Sequence, residues 1–231
     1  MINVDRVYQE VLTLANKEQR GYITPQEFNI LANQAQMDIF EQYFYDLNQF
    51  LRAPGNDTVH ADVVNILEEK IGVFETTQNL ATPGGVGALN NLQRFYRLST
   101  VRDENIIYER ITKREARLFQ RAPLATPTNL RPAYIVEGVN NTLRLFGRTP
   151  AQINVDYIRE PMPANWTYIV VESKALYNNN AVDRQHFQLH PSEENELVLK
   201  ILALAGFTMK DPELYQIAAG EDLKNIQQEK Q

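Results

Sequence analysis

The chain has 231 residues, 43% hydrophobic and 23% charged, with a formal net charge of −6. That is enough for one large or two small domains with a buried core, and too acidic for a protein whose main work is coating nucleic acid. It contains no Cys and only three His (His60, His186 and His190), which excludes disulfide scaffolds, Cys-ligated zinc, iron–sulfur clusters and thiol catalysis.

The first segment, MINVDRVYQE, has neither a basic n-region nor an apolar h-region, so no signal peptide is expected. Val4, Val7, Tyr8, Val11, Leu12 and Leu14 fall near a three-four spacing and predict an amphipathic helix ending around Gly21. Thr24-Pro25-Gln26-Glu27 restarts a helix: Thr24 suits the N-cap, Pro25 the first helical position, and Glu27 stands three after the cap. Phe28, Leu31, Ala32, Ala35, Ile39, Tyr43 and Leu47, widened by Phe40, Phe44 and Leu51, give this helix an apolar face that needs more than one neighbour. Ala53-Pro54-Gly55-Asn56 breaks it, and a third helix follows, with Val63, Val64, Ile66, Leu67, Ile71 and Phe74 as its core positions.

The character changes after Ala81. Thr82-Pro83-Gly84-Gly85 reads as a loop, Leu92–Ser99 as a strand, and Thr112-Lys113-Arg114-Glu115 as a capping box opening a short helix to about Arg121. Ala133–Val136 and Thr142–Phe146 predict a hairpin around Asn140-Asn141. Ile153–Ile158 alternates as a half-buried strand does, and Trp166–Val171 is the last strong strand. Pro191 and the acidic residues after it open a strongly apolar helix closed by Gly206. Asp211-Pro212 starts a final helix with Tyr215, Ala219, Leu223 and Ile226 on one side. Helices, then β structure, then helices indicate an α+β fold: a helical bundle formed by the N- and C-terminal helices with a β-rich insertion. The divisions fall at 1–85 for the N-terminal helical part, 86–185 for the β-rich insertion and 186–231 for the C-terminal helices.

Charge is unevenly spread. Residues 1–85 hold 5 Lys/Arg against 12 Asp/Glu, residues 86–131 hold 9 against 4, and residues 132–231 hold 9 against 13. An acidic–basic–acidic chain can pair its middle with its own ends or with identical neighbours. The 21 Asn and 17 Gln suit a solvated or subunit-facing surface and do no chemistry alone.

Few constellations carry chemistry. Asn16–Glu27 resembles an EF-hand loop, with Gly21 sixth and Glu27 twelfth, but Arg20 puts a cation where calcium needs an oxygen. A helix–turn–helix elbow explains the segment better, and a calcium-responsive binding module is the alternative reading. His186 and His190 with Glu193 and Glu194 suggest a metal site, but Pro191 interrupts the helix that would align them. Gly84-Gly85-x-Gly87 lacks the strand before it and the Lys-Ser/Thr after it that a phosphate loop needs. No nucleophile motif, catalytic set, metal site or cofactor motif is present, so an enzyme is not expected and no apolar run suits a membrane.

Three stretches together resemble a known family: NKEQRGYITPQEFNILANQAQMDIFEQYFYD (16–46), INVDYIREPMPANWTYIVV (153–171) and FQLHPSEENELVLKILALAGFTMKDPELYQIA (187–218). They are similar to the head–tail connector proteins, also called adaptor or ring proteins, of podovirus-like tailed bacteriophages, including the crAss-like group. The resemblance implies a non-enzymatic virion structural protein made in the host cytoplasm. It implies a homo-oligomeric ring of about a dozen subunits at the head–tail junction, between portal and tail. The implied partners are further copies of itself, the portal protein, neighbouring tail or ring proteins, and genomic DNA passing through the lumen without sequence recognition during packaging and ejection. On this reading Arg114 and Arg117, in the basic middle, meet an acidic end of the next subunit. Tyr215, Ala219, Leu223 and Ile226 dock on a partner.

Overall fold

A computed structural model describes residues 1–17, 23–52, 58–119, 121–122, 124–172 and 174–208. The protein is mixed α+β, with five α-helices and ten strands among the described residues. The chain divides into two compact units, one made of Met1–Val73 with residues 161 onward, the other of Phe74–Glu160.

The first unit holds α1 (Val4–Lys17), α2 (Pro25–Arg52), α3 (Thr58–Gly72) and α5 (Glu194–Thr208), with a hairpin of β9 (Tyr168–Val171) and β10 (Lys174–Tyr177). The broad apolar face of α2 meets both α3 and α5, and α5 also packs on α1. Phe28, Ala32, Ala35, Ile39 and Phe40 of α2 are buried with Val4, Val7, Tyr8 and Val11 of α1 and Leu197, Val198, Ile201 and Leu202 of α5. Tyr8 sits between Phe28 and Trp166, its ring tilted against both, at 4.7 and 4.2 Å between ring centroids.

An amide ladder holds the connection before β9. Asn29, Asn33 and Gln36 lie at i, i+4 and i+7 on α2, one face of a helix. The Asn29 side chain donates to Trp166 O at 3.2 Å and accepts from Trp166 N at 2.8 Å. Asn33 donates to Ala164 O at 2.9 Å and accepts from Ala164 N at 2.7 Å. Gln36 donates to Met162 O at 2.9 Å and accepts from Gln188 N at 3.1 Å. Some of the abundant amides therefore serve the interior. The expected strand from Trp166 begins instead at Tyr168, because the Trp166 backbone is bound to Asn29 rather than to a ladder.

The second unit packs two four-stranded sheets. One has the order β1 (Glu75–Ala81), β8 (Gln152–Arg159), β3 (Phe95–Asp103), β4 (Ile106–Ile107), all antiparallel. The other runs β2 (Val86–Ala88), β7 (Thr142–Phe146), β6 (Ala133–Glu137), β5 (Glu109–Arg110), with β5 and β6 parallel and α4 (Lys113–Phe119) between them in the chain. Leu80, Val101, Ile153, Val155 and Tyr157 from the first sheet share a core with Tyr134, Leu143 and Leu145 from the second. The hairpin at Asn140-Asn141 forms as expected, with Asn141 at φ 47°.

Three expectations shift. The third helix ends at Gly72, and fully buried Phe74 leads into β1. The β structure thus begins ten residues or so before the expected division at 85, and its compact unit closes at Glu160, well before 185. The strand sought from Leu92 starts at Phe95 and runs to Asp103, after Arg94 takes a φ of 50°. The glycines at 85 and 87 serve packing: a Cβ at Gly87 would stand 2.9 Å from Leu80 Cδ2, and one at Gly85 2.6 Å from Thr149 Cγ2.

Candidate functional site

The outer face of α4 carries a basic surface. Thr112 N donates to Glu115 Oε2 at 2.7 Å and Glu115 N donates to Thr112 Oγ1 at 3.3 Å, a complete capping box. These bonds hold the Glu115 carboxyl below its ordinary range. They also commit the helix's only acid to its own N-terminus. Ala116 turns inward onto Ile111, Ala133 and Ile135, with Phe119 and Phe146 against them. That burial leaves Arg114, Arg117 and Leu118 pointing out.

The far end is tied down. Thr126 Oγ1 lies 3.0 Å from the carbonyl oxygens of Phe119 and Ala122. Pro127 and Thr128 sit so close to Gly147, at φ 84°, that a Cβ there would lie 2.6 Å from Thr128 O. Lys113, Arg114, Arg117, Leu118 and Arg121 line an open groove of about 520 Å³. Lys113 reaches Glu137 at 3.1 Å, and Arg144 shares that carboxylate at 3.3 Å. Among the described residues Arg114, Arg117 and Arg121 make no ion pair. Three uncompensated guanidinium groups around a 56% exposed leucine form a surface suited to an acidic, partly apolar partner.

The structure brings Arg114 and Arg117, singled out from the sequence, to one face, and adds Lys113, Arg121 and Leu118. The capping box at Thr112 was the signal for the helix. Leu118 and Arg121 were readable from the same periodicity. Tyr215, Ala219, Leu223 and Ile226 lie outside the described residues.

The other sequence candidates resolve into structural roles. Of the loop 16–27, residues 18–22 lie outside the described residues. Glu27 Oε2 accepts from Thr24 N at 3.0 Å and Thr24 Oγ1 at 2.7 Å, so its carboxylate caps α2. His186 Nδ1 accepts from Val4 N at 3.2 Å, at the start of α1. Burial, with Arg184 nearby, holds this imidazole below its usual range. His190 Nδ1 accepts from Ser192 N at 3.3 Å and caps the turn into α5. Among the described residues no group of three or more His, Asp or Glu comes together to hold a metal ion, and no helix is long and apolar enough to cross a membrane.

Sequence reasoning missed a buried charge cluster in the first unit. Lys70 Nζ stands 2.7 Å from Glu193 Oε1, and Lys200 Nζ stands 3.2 Å from Glu196 Oε1, with all four side chains at most 13% exposed. Lys200 also donates to Gln42 Oε1 at 2.9 Å. The two carboxyl groups hydrogen-bond each other, and burial pushes Glu196 up to about 7. In Glu193 burial acts the same way, but the Lys70 ammonium together with hydrogen bonds from Glu196 and Ser192 outweighs it and holds the carboxyl below its ordinary value. The Glu residues had read as first-turn acids favoured by the helix dipole, and nothing in sequence pointed to Lys70, more than a hundred positions away.

Neither protein-family models nor curated proteins give a match to this chain.

Proposed function

We propose that the chain is a non-enzymatic structural subunit that self-associates into a ring, a head–tail connector or adaptor of a tailed-phage virion. The observation that carries self-association is charge. The unit 74–160 holds 12 Lys/Arg against 8 Asp/Glu, a net of +4; the remainder holds 11 against 21, a net of −10. The unpaired arginines of α4 concentrate the positive excess on one face. Opposite fields on two parts of one chain favour head-to-tail contacts between copies.

The phage assignment is supported by the resemblance of residues 16–46, 153–171 and 187–218. In this reading the N- and C-terminal helices form a bundle and the β-rich part is an insertion in it. The ring stacks between portal and tail, and DNA passes through its lumen without sequence recognition. Tyr215, Ala219, Leu223 and Ile226 face the portal or a neighbouring ring.

Sedimentation of the purified protein tests the assembly. The expected result is a species many times the 26.6 kDa chain at low salt that dissociates as salt rises, because exposed charge pairs are screened. A mass near that of one chain at every salt and protein concentration would refute it.

A further inference from the structure

Ring contact needs a definite acidic surface to receive α4, and α2 carries one. The outward side of this long helix presents Ile30, Gln34, Asp38 and Glu41, all exposed, along one stripe at spacings of four, four and three. Ile30 is 68% exposed. Asp38 and Glu41 make no ion pair within 4 Å among the described residues, and the one cation acting on Asp38, Lys200 of α5, does so from beyond that distance.

Other acids are less suitable. Glu10 and Glu194 both bind Arg6, at 3.1 and 3.0 Å. Glu68 and Glu69 on α3 are adjacent in sequence and so point in different directions from the helix. Asp38 and Glu41 instead lie three apart on one face, as do Arg114 and Arg117. Each pair therefore spans about 4.5 Å along its helix axis, so two cations meet two anions in one register. Leu118, half exposed in the basic groove, and Ile30 on the acidic stripe give both faces an apolar element that charge alone would not require.

We infer that the α2 stripe Ile30–Gln34–Asp38–Glu41 of one copy seats in the α4 groove of the next, with Arg114 and Arg117 on Asp38 and Glu41. This pairing presupposes the ring proposed for the chain and names its subunit contact. It is heterologous: every copy offers one basic and one acidic face, the head-to-tail kind of contact that a ring is built from when its rotation closes.

Two charge reversals test it, D38R/E41R and R114E/R117E, each checked by thermal melting against the wild-type chain and sized by sedimentation at low salt. All four positions are exposed, so R114E/R117E is expected to melt as wild type does and D38R/E41R, which sets a cation near Lys200, slightly lower. Should D38R/E41R fail to fold, the neutral D38N/E41Q replaces it, with a smaller expected loss. Each reversal alone is expected to weaken association roughly tenfold or more, since like charges then face each other. An equal mixture of the two is expected to assemble again. In the mixture every restored contact joins one variant to the other, whereas neither variant can pair with itself.

Dispersal by R114E/R117E with no effect of D38R/E41R would overturn the α2 assignment and leave the ring standing on another acidic face. Failure of the mixture to reassemble would do the same. A wild-type chain that never exceeds one-chain mass would remove ring and contact together. If both variants assemble normally while R114E/R117E abolishes salt-sensitive binding to a random-sequence DNA duplex, α4 is a phosphate-backbone surface and the pairing is wrong.

Discussion

Glu196 shows how one buried proton couples stability to pH. Its carboxyl is raised from an ordinary 4.5 to about 7, mainly by burial, with Glu193 acting in the same sense against Lys200. Between about pH 4.5 and 7 the folded chain keeps a proton that the unfolded chain releases, so stability falls as pH rises through that window and this contribution is gone by pH 8. Glu193 runs the other way: its lowered value favours the fold above the ordinary carboxylate range and is lost as pH falls below it. His186, also lowered, favours the fold above its ordinary 6.5 and so opposes Glu196 in part of the same window. The comparison with Glu196→Gln isolates the carboxyl, because the amide keeps a permanent donor toward Glu193 and cannot ionise. Denaturant unfolding at pH 5.5 and 8 is expected to show a flatter pH response for the variant, and greater stability than wild type at pH 8 by up to about 3 kcal/mol. An unchanged pH slope would show that Glu196 carries no buried proton.

At the scale of elements, the helices were the most legible part of the sequence, and α4 in particular, because capping chemistry is local. Thr24 with Glu27 and Thr112 with Glu115 both form the boxes their spacing predicts. The strands were less legible where their apolar side is thin. In β1, Glu-Thr-Thr-Gln-Asn-Leu-Ala, only Leu80 is buried, so no alternation announces it. In β8 the alternation Ile153, Val155, Tyr157 is complete because both neighbours and the opposite sheet need it. The amide ladder on α2 was hidden for another reason. Asn29, Asn33 and Gln36 are polar positions of an amphipathic helix, and their partners lie over a hundred residues away. Asn33 is the sharpest test, since it both donates to and accepts from Ala164, a residue 2% exposed. Asn33→Ala would leave a backbone donor and acceptor without partners there, a loss of roughly 2–4 kcal/mol. The better helix propensity of Ala would return only about 0.5 kcal/mol. A measured loss under about 1 kcal/mol would mean that residues 162–166 do not depend on the ladder.

For the whole molecule, mixed α and β structure was readable from the order of patterns. The compact units, dividing at 73/74 and 160/161, depend on packing between distant segments that no local pattern records. The assembly reading places its second contact beyond α5. That segment lies outside the described residues; the final helix expected there from sequence would have an apolar stripe, Tyr215, Ala219, Leu223 and Ile226, that is narrow and crossed by Gly220. A helix of that length and composition is marginal alone in water, so on the sequence expectation its stability would come from a surface it meets. If that surface is the portal or a neighbouring ring, the segment adds nothing to the stability of the single chain. Deleting residues 212–231 is therefore expected to leave the melting temperature of the dissociated chain within a degree or two of wild type, at high salt where copies separate. The same truncation is expected to abolish co-sedimentation with portal rings from the same virion while rings of the protein itself still form. Loss of several degrees in melting would make the segment part of the chain's own core, and undiminished portal binding would place the dock elsewhere.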